Sequence, residues 1–365
     1  MSSALFSPIE IGRMKLNNRI VVSPMCQYSA IDGDANEWHL GHLCNMALSG
    51  AGLLTLESTA VSPEGRITPS CLGLWADSNE AALARVLAVL RAISDVPLAL
   101  QLGHAGRKAS AEVPWRGRAQ RAIDDGGWQT VAPSPVPLNR DDRTPLALDE
   151  AGLLKVEADF VAATVRAARL GFDMLELHGG HGYLLSSFVS PLSNHRDDSY
   201  GGTLENRLRF PLRVVRAVRE AWPADRPLAI KINGTDWAEG GSMIEEVVTY
   251  AQELRRAGVD VVTASGGGVS SEQRVQPEPG YQLPAAASIR AETGVTTCAV
   301  GMIHDARQAE QIIAGGSADL VALARAMLYN PRWPFHAAVT LGHDMAWPPQ
   351  YERAGPKAWK LARGI

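Results

Sequence analysis

The stretch Met174-Leu-Glu-Leu-His-Gly-Gly-His-Gly-Tyr183 decides how this chain is organised. Residues 174–177 form a short apolar run that predicts a buried strand. Two imidazoles and a phenol follow the run and are separated only by glycines. Because glycine permits turns that residues with a Cβ resist, the chain can bend here. We therefore expect His178, His181 and Tyr183 to crowd the end of one strand.

These three side chains suit one kind of chemistry. Histidines can donate hydrogen bonds to an oxygen, and a tyrosine can deliver a proton. The combination fits a substrate whose carbonyl or nitro oxygen is polarised while a neighbouring atom is protonated. Structural roles remain open, with buried histidines that are hydrogen-bonded and a tyrosine whose hydroxyl contacts the backbone. A zinc site would need further ligands that the local sequence lacks, so we expect no metal.

The same pattern of an apolar run followed by a helical segment recurs along the chain. Alternation of this kind predicts a parallel sheet, and eight units close a (β/α)8 TIM barrel. The predicted strands are Arg19–Ser23, Gly52–Ser58, Pro97–Gly103, Met174–His178, Leu228–Asn233, Val261–Gly266, Thr297–Gly301 and Leu320–Ala324. The predicted helices are Glu37–Ser49, Ser78–Ile93, Asp149–Leu170, Thr203–Trp222, Ser242–Ala257, Pro284–Glu292, Ala306–Ala314 and Pro331–Leu341.

Two further segments complete the predicted architecture. A hairpin at the N-terminus caps the barrel, and the long irregular segment Ala109–Leu148 follows the third strand. Long loops without regular structure are usually functional, so we interpret this one as a lid over the site. A doubly wound open sheet is the alternative. A dinucleotide-binding sheet of that type would normally carry G-x-G-x-x-G after its first strand, where this chain has Pro24-Met-Cys-Gln-Tyr28.

Composition narrows the functional classes. The chain has 365 residues and a net charge of −4, and its charges are interspersed, which does not indicate a nucleic-acid or membrane partner. No apolar run is long enough to span a bilayer, and the N-terminus lacks the features of a signal peptide. The four cysteines have no C-x-x-C spacing. We expect a cytoplasmic enzyme with a small-molecule substrate.

Polar residues recur at the predicted carboxyl ends of the strands, where barrel enzymes place their active sites. Lys231 on the fifth strand could be an ion-pair lysine or, in a barrel lyase, a Schiff-base lysine. Gly301 and Arg325 follow the seventh and eighth strands, where barrels often bind a phosphate. For Arg325, a purely structural role also remains open.

Several motifs together give the chain a family resemblance. It resembles the Old Yellow Enzyme family of flavin-dependent ene reductases, most closely the thermophilic-like, or bacterial xenobiotic-reductase, subclass. The resemblance extends from Phe6 to about Arg353. The matching motifs are Ser23-Pro-Met-Cys-Gln-Tyr28, Gly65-Arg-Ile-Thr68, His104-Ala-Gly-Arg-Lys108, His178-Gly-Gly-His-Gly-Tyr-Leu184, Ser190-Pro-Leu-Ser-Asn-His-Arg-Asp-Asp-Ser-Tyr-Gly-Gly202, Glu205-Asn-Arg207, Pro279-Gly-Tyr281 and Val300-Gly-Met302.

The resemblance implies a bound FMN that NADPH or NADH reduces and that an electron-poor alkene reoxidises. It implies that His178 and His181 bind the activating oxygen of the substrate and that Tyr183 protonates the α-carbon. Tyr28 and Cys26 would contact substrate, and Cys26 would also tune the flavin. The residues implied to bind FMN are Ser23, Pro24, Met25, Cys26, Ser58, Gln101, His178, Lys231, Gly301, Ala324 and Arg325.

The resemblance also divides the chain. Residues 1–345 would form the FMN-binding barrel, and residues 346–365 a tail at a subunit interface, either frayed or docked on a neighbour. Within Gln350-Tyr-Glu-Arg353, Arg353 would reach the substrate site of a neighbouring subunit, which implies a homodimer or homotetramer. A solvated surface arginine is the alternative.

Three residues depart from the family pattern. Lys231 replaces a usual arginine near the flavin, so the positive charge stays but the planar fork is lost. Ser58 replaces a common alanine, and Ala324 replaces a common glycine whose site tolerates a methyl group if φ is negative. Other functions stay open: another flavin enzyme on the same barrel, such as a dienoyl-CoA reductase or a demethylase, a flavin-binding sensor, or a non-redox lyase.

Overall fold

Eight parallel strands close into a barrel, as the sequence predicts. The computed structural model describes residues 3–360 and 362. In chain order the strands are β1 Ile9–Ile11, β2 Met14–Leu16, β3 Ile20–Val22, β4 Leu53–Ala60, β5 Leu98–Gly103, β6 Val131–Ala132, β7 Leu146–Ala147, β8 Met174–Gly179, β9 Leu228–Asn233, β10 Val261–Ser265, β11 Thr296–Ala299 and β12 Leu320–Leu323. The barrel order is β3-β4-β5-β8-β9-β10-β11-β12, which closes back on β3.

Helices follow the barrel strands and cover them. They are α1 Glu37–Ala47, α2 Asp77–Ile93, α3 Glu150–Arg169, α4 Leu184–Val189, α5 Leu204–Ala221, α6 Ile244–Arg256, α7 Leu283–Thr293, α8 Ala306–Ala314, α9 Arg325–Tyr329 and α10 Trp333–Thr340. The eight predicted helices are confirmed, with ends that differ by up to two residues. The sequence did not predict α4 and α9, because segments of six and five residues are too short to show helical periodicity.

The predicted N-terminal hairpin closes the amino-terminal end of the barrel. Strands β1 and β2 pair antiparallel. Ile11, Met14 and Leu16 pack in one apolar cluster with residues from the early part of the barrel strands, such as Leu53 and Met174. Because this end is filled with apolar side chains, polar side chains inside the barrel gather towards its carboxyl end.

The strand register brings those polar side chains onto neighbouring strands. Gln101 of β5 is paired with Glu176 of β8, and His178 of β8 is paired with Lys231 of β9. Thr263 of β10 is paired with Lys231 from the other side. Glu176 therefore accepts a hydrogen bond from Gln101 at 2.7 Å and one from Thr263 at 2.9 Å. This polar layer forms the floor of the carboxyl-terminal face.

One irregularity interrupts β4. Its register against β5 shifts between Leu56 and Ser58, so that Ser58 is paired with Gln101 and Glu57 has no partner on β5. An extra residue of this kind is a β-bulge, and bulges redirect side chains near active sites. As a result Glu57, which is 5% exposed, lies under the segment that follows β3.

The predicted lid is an irregular segment that contains a few short backbone pairings. Residues 111 and 120 form an isolated bridge, and β6 pairs with β7 in parallel. Short 3-10 helices span Pro114–Arg116 and Ile123–Asp125. The buried guanidinium of Arg107 connects the lid to the loop after β10. It donates hydrogen bonds to the carbonyl oxygen of Val136 in the lid and to that of Val269 in the loop.

The C-terminal tail contacts its own barrel, which the sequence did not predict. The ring of Trp347 stacks on Phe335 of α10 with a centroid distance of 4.2 Å. The guanidinium of Arg332 lies 5.4 Å from the ring centre of Tyr351. Residues 361 and 363–365 of the predicted tail lie outside the described residues. In residues 3–360 and 362, no helix has both the length and the apolar character needed to cross a membrane.

Candidate active site

The turn after β8 presents the two histidines and the tyrosine together, as expected. The ring centres of His178 and Tyr183 are 4.6 Å apart, and those of His178 and His181 are 5.1 Å apart. The left-handed residues of the turn are His181, with φ +60°, and Gly182, with φ +72°. A Cβ at Gly182 would lie 2.0 Å from the carbonyl oxygen of Gly268, so only glycine fits there. The bend therefore depends on Gly182 and on His181 itself.

Neighbouring groups hold His181 in this uncommon conformation. The side-chain oxygen of Asn233 accepts a hydrogen bond from the His181 backbone N–H at 2.8 Å. The ammonium of Lys108 donates to the His181 carbonyl oxygen at 2.6 Å and to the Gly268 carbonyl oxygen at 3.0 Å. Burial lowers the pKa of Lys108 to about 8. The polar contacts offset the backbone strain of a non-glycine residue at positive φ.

A relay of hydrogen bonds runs through the two imidazoles. The Gly180 backbone N–H donates to Nδ1 of His178 at 3.4 Å, which places the His178 proton on Nε2. That nitrogen lies 3.4 Å from Nδ1 of His181, and Nε2 of His181 lies 2.7 Å from Oγ of Ser265. Desolvation, with further contributions from neighbouring positive charges, lowers the pKa of His181 to about 3 and that of His178 well below its usual value. Both rings are therefore neutral near pH 7 and can donate N–H groups.

The phenol of Tyr183 has the opposite shift. Desolvation by the surrounding protein is the main cause that raises its pKa well above the usual value. Tyr183 therefore keeps its proton near pH 7 and is a proton donor rather than a phenolate. The ammonium of Lys108 lies 5.0 Å from the centre of its ring.

A cavity of about 530 Å³ lies at the carboxyl ends of the strands beside this turn. Many predicted cofactor residues line it, in agreement with a common site. Those residues are Ser23, Pro24, Lys231, Gly301, Ala324 and Arg325, together with His181. Lys231 is 4% exposed and its ammonium lies 3.6 Å from the Glu176 carboxylate. Its charge therefore faces the cavity above a buried carboxylate.

The walls of this cavity fit a flavin mononucleotide. Gly301 has φ +110°, and a Cβ there would lie 3.0 Å from Cγ of Gln282, so the bare backbone forms part of the wall. Within residues 3–360 and 362, the side-chain oxygen of Gln282 is buried without a hydrogen-bond partner. Gln282 lines the same cavity, so its side-chain oxygen can accept a hydrogen bond from a bound molecule. Ala324 has φ −108°, a value that tolerates its methyl group.

Arg325 lies where α/β barrels commonly bind a phosphate group. It is the first residue of α9, after strand β12, and lines the cavity beside Ala324 and Ala326. Its guanidinium would supply the positive charge for a cofactor phosphate, and Lys231 would supply the charge nearer the ring system.

A second cavity of about 280 Å³ lies between the barrel and the lid. Tyr28 and Tyr183 line it together with lid residues. Tyr28 has φ +49°, and its ring meets that of Trp115 edge to face with a centroid distance of 6.0 Å. Cys26 lies two residues before Tyr28, and burial raises the pKa of its thiol well above its usual value. Cys26 is therefore a neutral thiol near pH 7.

Other predicted residues line neither of the two cavities. Gln101 donates from Nε2 to the Glu176 carboxylate in the floor. Ser58 faces His178 across Gly103, and Met25 packs partly on the barrel core. Arg353 is exposed on the 3-10 helix Pro349–Ala354, and its role in a neighbouring subunit stays a prediction.

Several residues of the site were given no role from the sequence. Ser265 ends β10 and Asn233 ends β9, and both contact His181. Gln282 and Lys108 contribute as described above. A polar residue at the carboxyl end of a barrel strand was the signal available for Ser265 and Asn233. In the described part of the chain, no cluster of three His, Cys, Asp or Glu side chains is placed to hold a metal ion.

Comparisons with known proteins agree with this site. The pattern of the NADH:flavin oxidoreductase / NADH oxidase family matches residues 4–343. An NADPH dehydrogenase of Geobacillus sp. (strain WCH70) is 41% identical over 97% of this chain and 99% of its own length. An NADPH dehydrogenase of Listeria innocua serovar 6a is 39% identical over 98% of this chain and 100% of its own length.

Solved structures give the same result. Morphinone reductase in complex with tetrahydroNAD is similar with a TM-score of 0.75 and 29% identity, over 95% of this chain and 93% of that chain. The curated relatives and this structural neighbour agree with the Old Yellow Enzyme resemblance. The chain belongs to the NADH:flavin oxidoreductase / NADH oxidase family, and it is an FMN-dependent oxidoreductase that uses a nicotinamide reductant.

Proposed function

We propose that this enzyme reduces the activated C=C bond of α,β-unsaturated carbonyl, maleimide or nitro compounds. The observation that carries the proposal is the adjacency of two neutral imidazoles and a protonated phenol, with His178 and Tyr183 rings 4.6 Å apart. These are the groups needed to bind an electron-withdrawing oxygen and to protonate a carbon near it. Bound FMN would take a hydride from the nicotinamide and deliver it to the alkene.

The chain's residues have distinct proposed roles around the cofactor. Ser23 and Pro24 would shape the wall against the ring system, and Gly301 and Ala324 the wall near the phosphate. Lys231 would place a positive charge by the ring, and Arg325 a positive charge by the phosphate. Met25, Cys26, Ser58 and Gln101 would complete the ring's surroundings, with Cys26 also facing the substrate.

The two imidazoles would orient the substrate oxygen. His178 can donate from Nε2, because Gly180 donates to its other nitrogen. The Ser265 hydroxyl beside His181 can either accept from Nε2 or donate to it. When it donates, the His181 proton resides on Nδ1, which faces His178. In that tautomer His181 no longer accepts from His178, and the two N–H nitrogens, 3.4 Å apart, can both donate to one substrate oxygen and stabilise negative charge that develops on it.

Tyr183 would supply the proton that completes the reduction. Its raised pKa keeps the hydroxyl protonated at the pH of the reaction. It lines the cavity under the lid together with Tyr28, which would close over the substrate. The proton and the hydride would thus reach the two alkene carbons from different groups.

Anaerobic stopped-flow absorbance tests this proposal in two steps. NADPH or NADH first bleaches the flavin, and 2-cyclohexenone then restores its absorbance. In Tyr183→Phe we expect unchanged bleaching and restoration slowed by about 10² to 10⁴, the usual contribution of a positioned acid. Tyr329→Phe is the control, because Tyr329 is 94% exposed. Restoration by oxygen but not by the enone would contradict the proposed substrate class.

Nothing in the site favours the lyase alternative. Lys231 lies 3.6 Å from the buried Glu176 carboxylate, so its side chain is engaged in an ion pair inside the barrel. Membership of the flavin oxidoreductase family agrees with this conclusion.

A further inference from the structure

The cavity under the lid has an uneven charge distribution. Its lining includes three cations, Arg107, Lys108 and Arg118, and two carboxylates, Glu112 and Asp142. A small pocket with an excess of positive charge favours an anionic group on the molecule that it binds. Which cation is available to such a group follows from the partners that each one already has.

Two of the three cations are committed to the protein. Arg107 is 3% exposed and donates to the carbonyl oxygens of Val136 and Val269. Lys108 donates to the carbonyl oxygens of His181 and Gly268. Both therefore hold loops together, and neither can turn to a ligand without releasing these contacts.

The carboxylates are committed as well. Glu112 lies 3.6 Å from the guanidinium of Arg121, and its other oxygen accepts the Val113 backbone N–H at 3.1 Å. Asp142 accepts two hydrogen bonds from Asn139, at 2.8 and 3.0 Å. Among the described residues, neither carboxylate lies within ion-pair distance of Arg118.

Arg118 differs from all of them. Considering residues 3–360 and 362, no carboxylate lies within ion-pair distance of its guanidinium, which also makes no hydrogen bond. It follows Gly117, and both residues have positive φ, +63° for Arg118 and +101° for Gly117. The turn is anchored, because the Glu112 backbone N–H donates to the Ala119 carbonyl at 2.8 Å.

The charge of Arg118 acts on the reacting end of the same cavity. After burial, which is the largest influence, Arg118 is among the groups that affect the pKa of Tyr28, Lys108 and Tyr183. Arg118 and the phenol that we propose as the proton donor also line the same cavity.

We propose that Arg118 binds a carboxylate on the alkene substrate, so that the enzyme prefers activated alkenes that carry a carboxylate remote from the activating carbonyl or nitro group. The inference rests on the proposed function. His178 and His181 would bind one end of such a substrate, and Arg118 would bind the other. The end that Arg118 binds would lie in the cavity of about 280 Å³, and the other end would lie beside His178, whose ring centre is 4.6 Å from that of Tyr183 in the cavity wall.

A matched pair of substrates tests this inference, namely trans-4-oxo-2-pentenoate and its neutral methyl ester. The variant is Arg118→Gln, and the control is Arg116→Gln, since Arg116 is exposed on the same loop and lines neither cavity. With the FMN-loaded enzyme we expect Arg118→Gln to lower kcat/KM for the acid at least about fivefold and to change the ester less than twofold. The preference of the wild-type enzyme for the acid should also fall as ionic strength rises.

Three outcomes would overturn the inference. One is an equal effect of Arg118→Gln on acid and ester, and another is the same loss in Arg116→Gln. The third is a loss confined to flavin reduction by NADPH relative to NADH, which would assign Arg118 to the nucleotide phosphate. Reduction of the ester by the wild-type enzyme would leave the proposed function intact in each case. Reduction of neither substrate would overturn both.

Discussion

Glu57 should destabilise the folded enzyme at neutral and alkaline pH. The bulge in β4 buries its carboxyl, which accepts a hydrogen bond from the Gln27 backbone N–H at 3.1 Å. Nε2 of His39 lies 3.5 Å away, too far for a normal hydrogen bond. Burial raises the pKa of Glu57 from 4.5 to about 8. The carboxyl therefore stays protonated in the folded chain at pH 7 and is ionised in the unfolded chain.

The magnitude follows from the difference between these two pKa values. Between pH 4.5 and pH 8 the folded state holds one more proton than the unfolded state, so the free energy of unfolding falls as pH rises. Each pH unit corresponds to about 1.4 kcal/mol. Glu57→Gln removes the titration but keeps an oxygen to accept from Gln27. Its stability relative to the wild type should therefore rise by about 3 kcal/mol from pH 5 to pH 7.

Urea unfolding at several pH values, with FMN at one fixed excess, measures this difference. Glu292→Gln is the control, because Glu292 is exposed on α7. The difference between variant and wild type should increase with pH up to about 8 and then level off. A difference that is constant, or that decreases with pH, would refute the reasoning. It would mean that Glu57 is ionised beside a protonated His39.

Two further predictions concern a buried histidine and a cavity glycine. Burial lowers the pKa of His104 from 6.5 to about 4, so its contribution to stability is present above pH 6.5 and is lost as pH falls. His104→Asn keeps an acceptor for the Gly106 N–H. Between pH 6.5 and pH 5, urea unfolding should show that the free energy of unfolding of this variant falls by about 2 kcal/mol less than that of the wild type. An equal fall in both proteins would contradict this prediction. Gly301→Ala should weaken FMN binding about tenfold in a fluorescence titration. Gly301 has φ +110°, which a residue with a Cβ adopts only with strain, and the added Cβ would lie 3.0 Å from Cγ of Gln282. Gly342→Ala, with φ +66° and nothing within 4 Å, is the control and should leave the affinity unchanged.

The barrel could be predicted from the sequence because its strands are buried on both faces. Runs such as Leu228–Asn233 are therefore almost continuously apolar, and the predicted and observed ends coincide there. The ends of shorter strands are less certain. The strand Ile20–Val22 is shorter than the predicted Arg19–Ser23, since apolar character does not show where hydrogen bonding ends.

The candidate site could be predicted only where a motif concentrates its residues. The side chains of His178, His181 and Tyr183 belong to one short stretch of sequence, so the sequence alone predicted that they lie close together. The bulge at Glu57 was not, because alternation along a strand gives no sign of an extra residue. The availability of Arg118 was not visible either. It depends on the partners of other charges, and the chain brings those together only when folded.

The connection that Arg107 makes between the lid and the loop after β10 matters for enzyme engineering. This single guanidinium joins the lid at Val136 to the loop after β10 at Val269, so the two loops are one mechanical unit. A lid transplanted from a relative would lose a partner on the other side of the barrel. Libraries that recombine loops to alter substrate range should therefore exchange residues 109–148 and the loop after Val261–Ser265 as a pair.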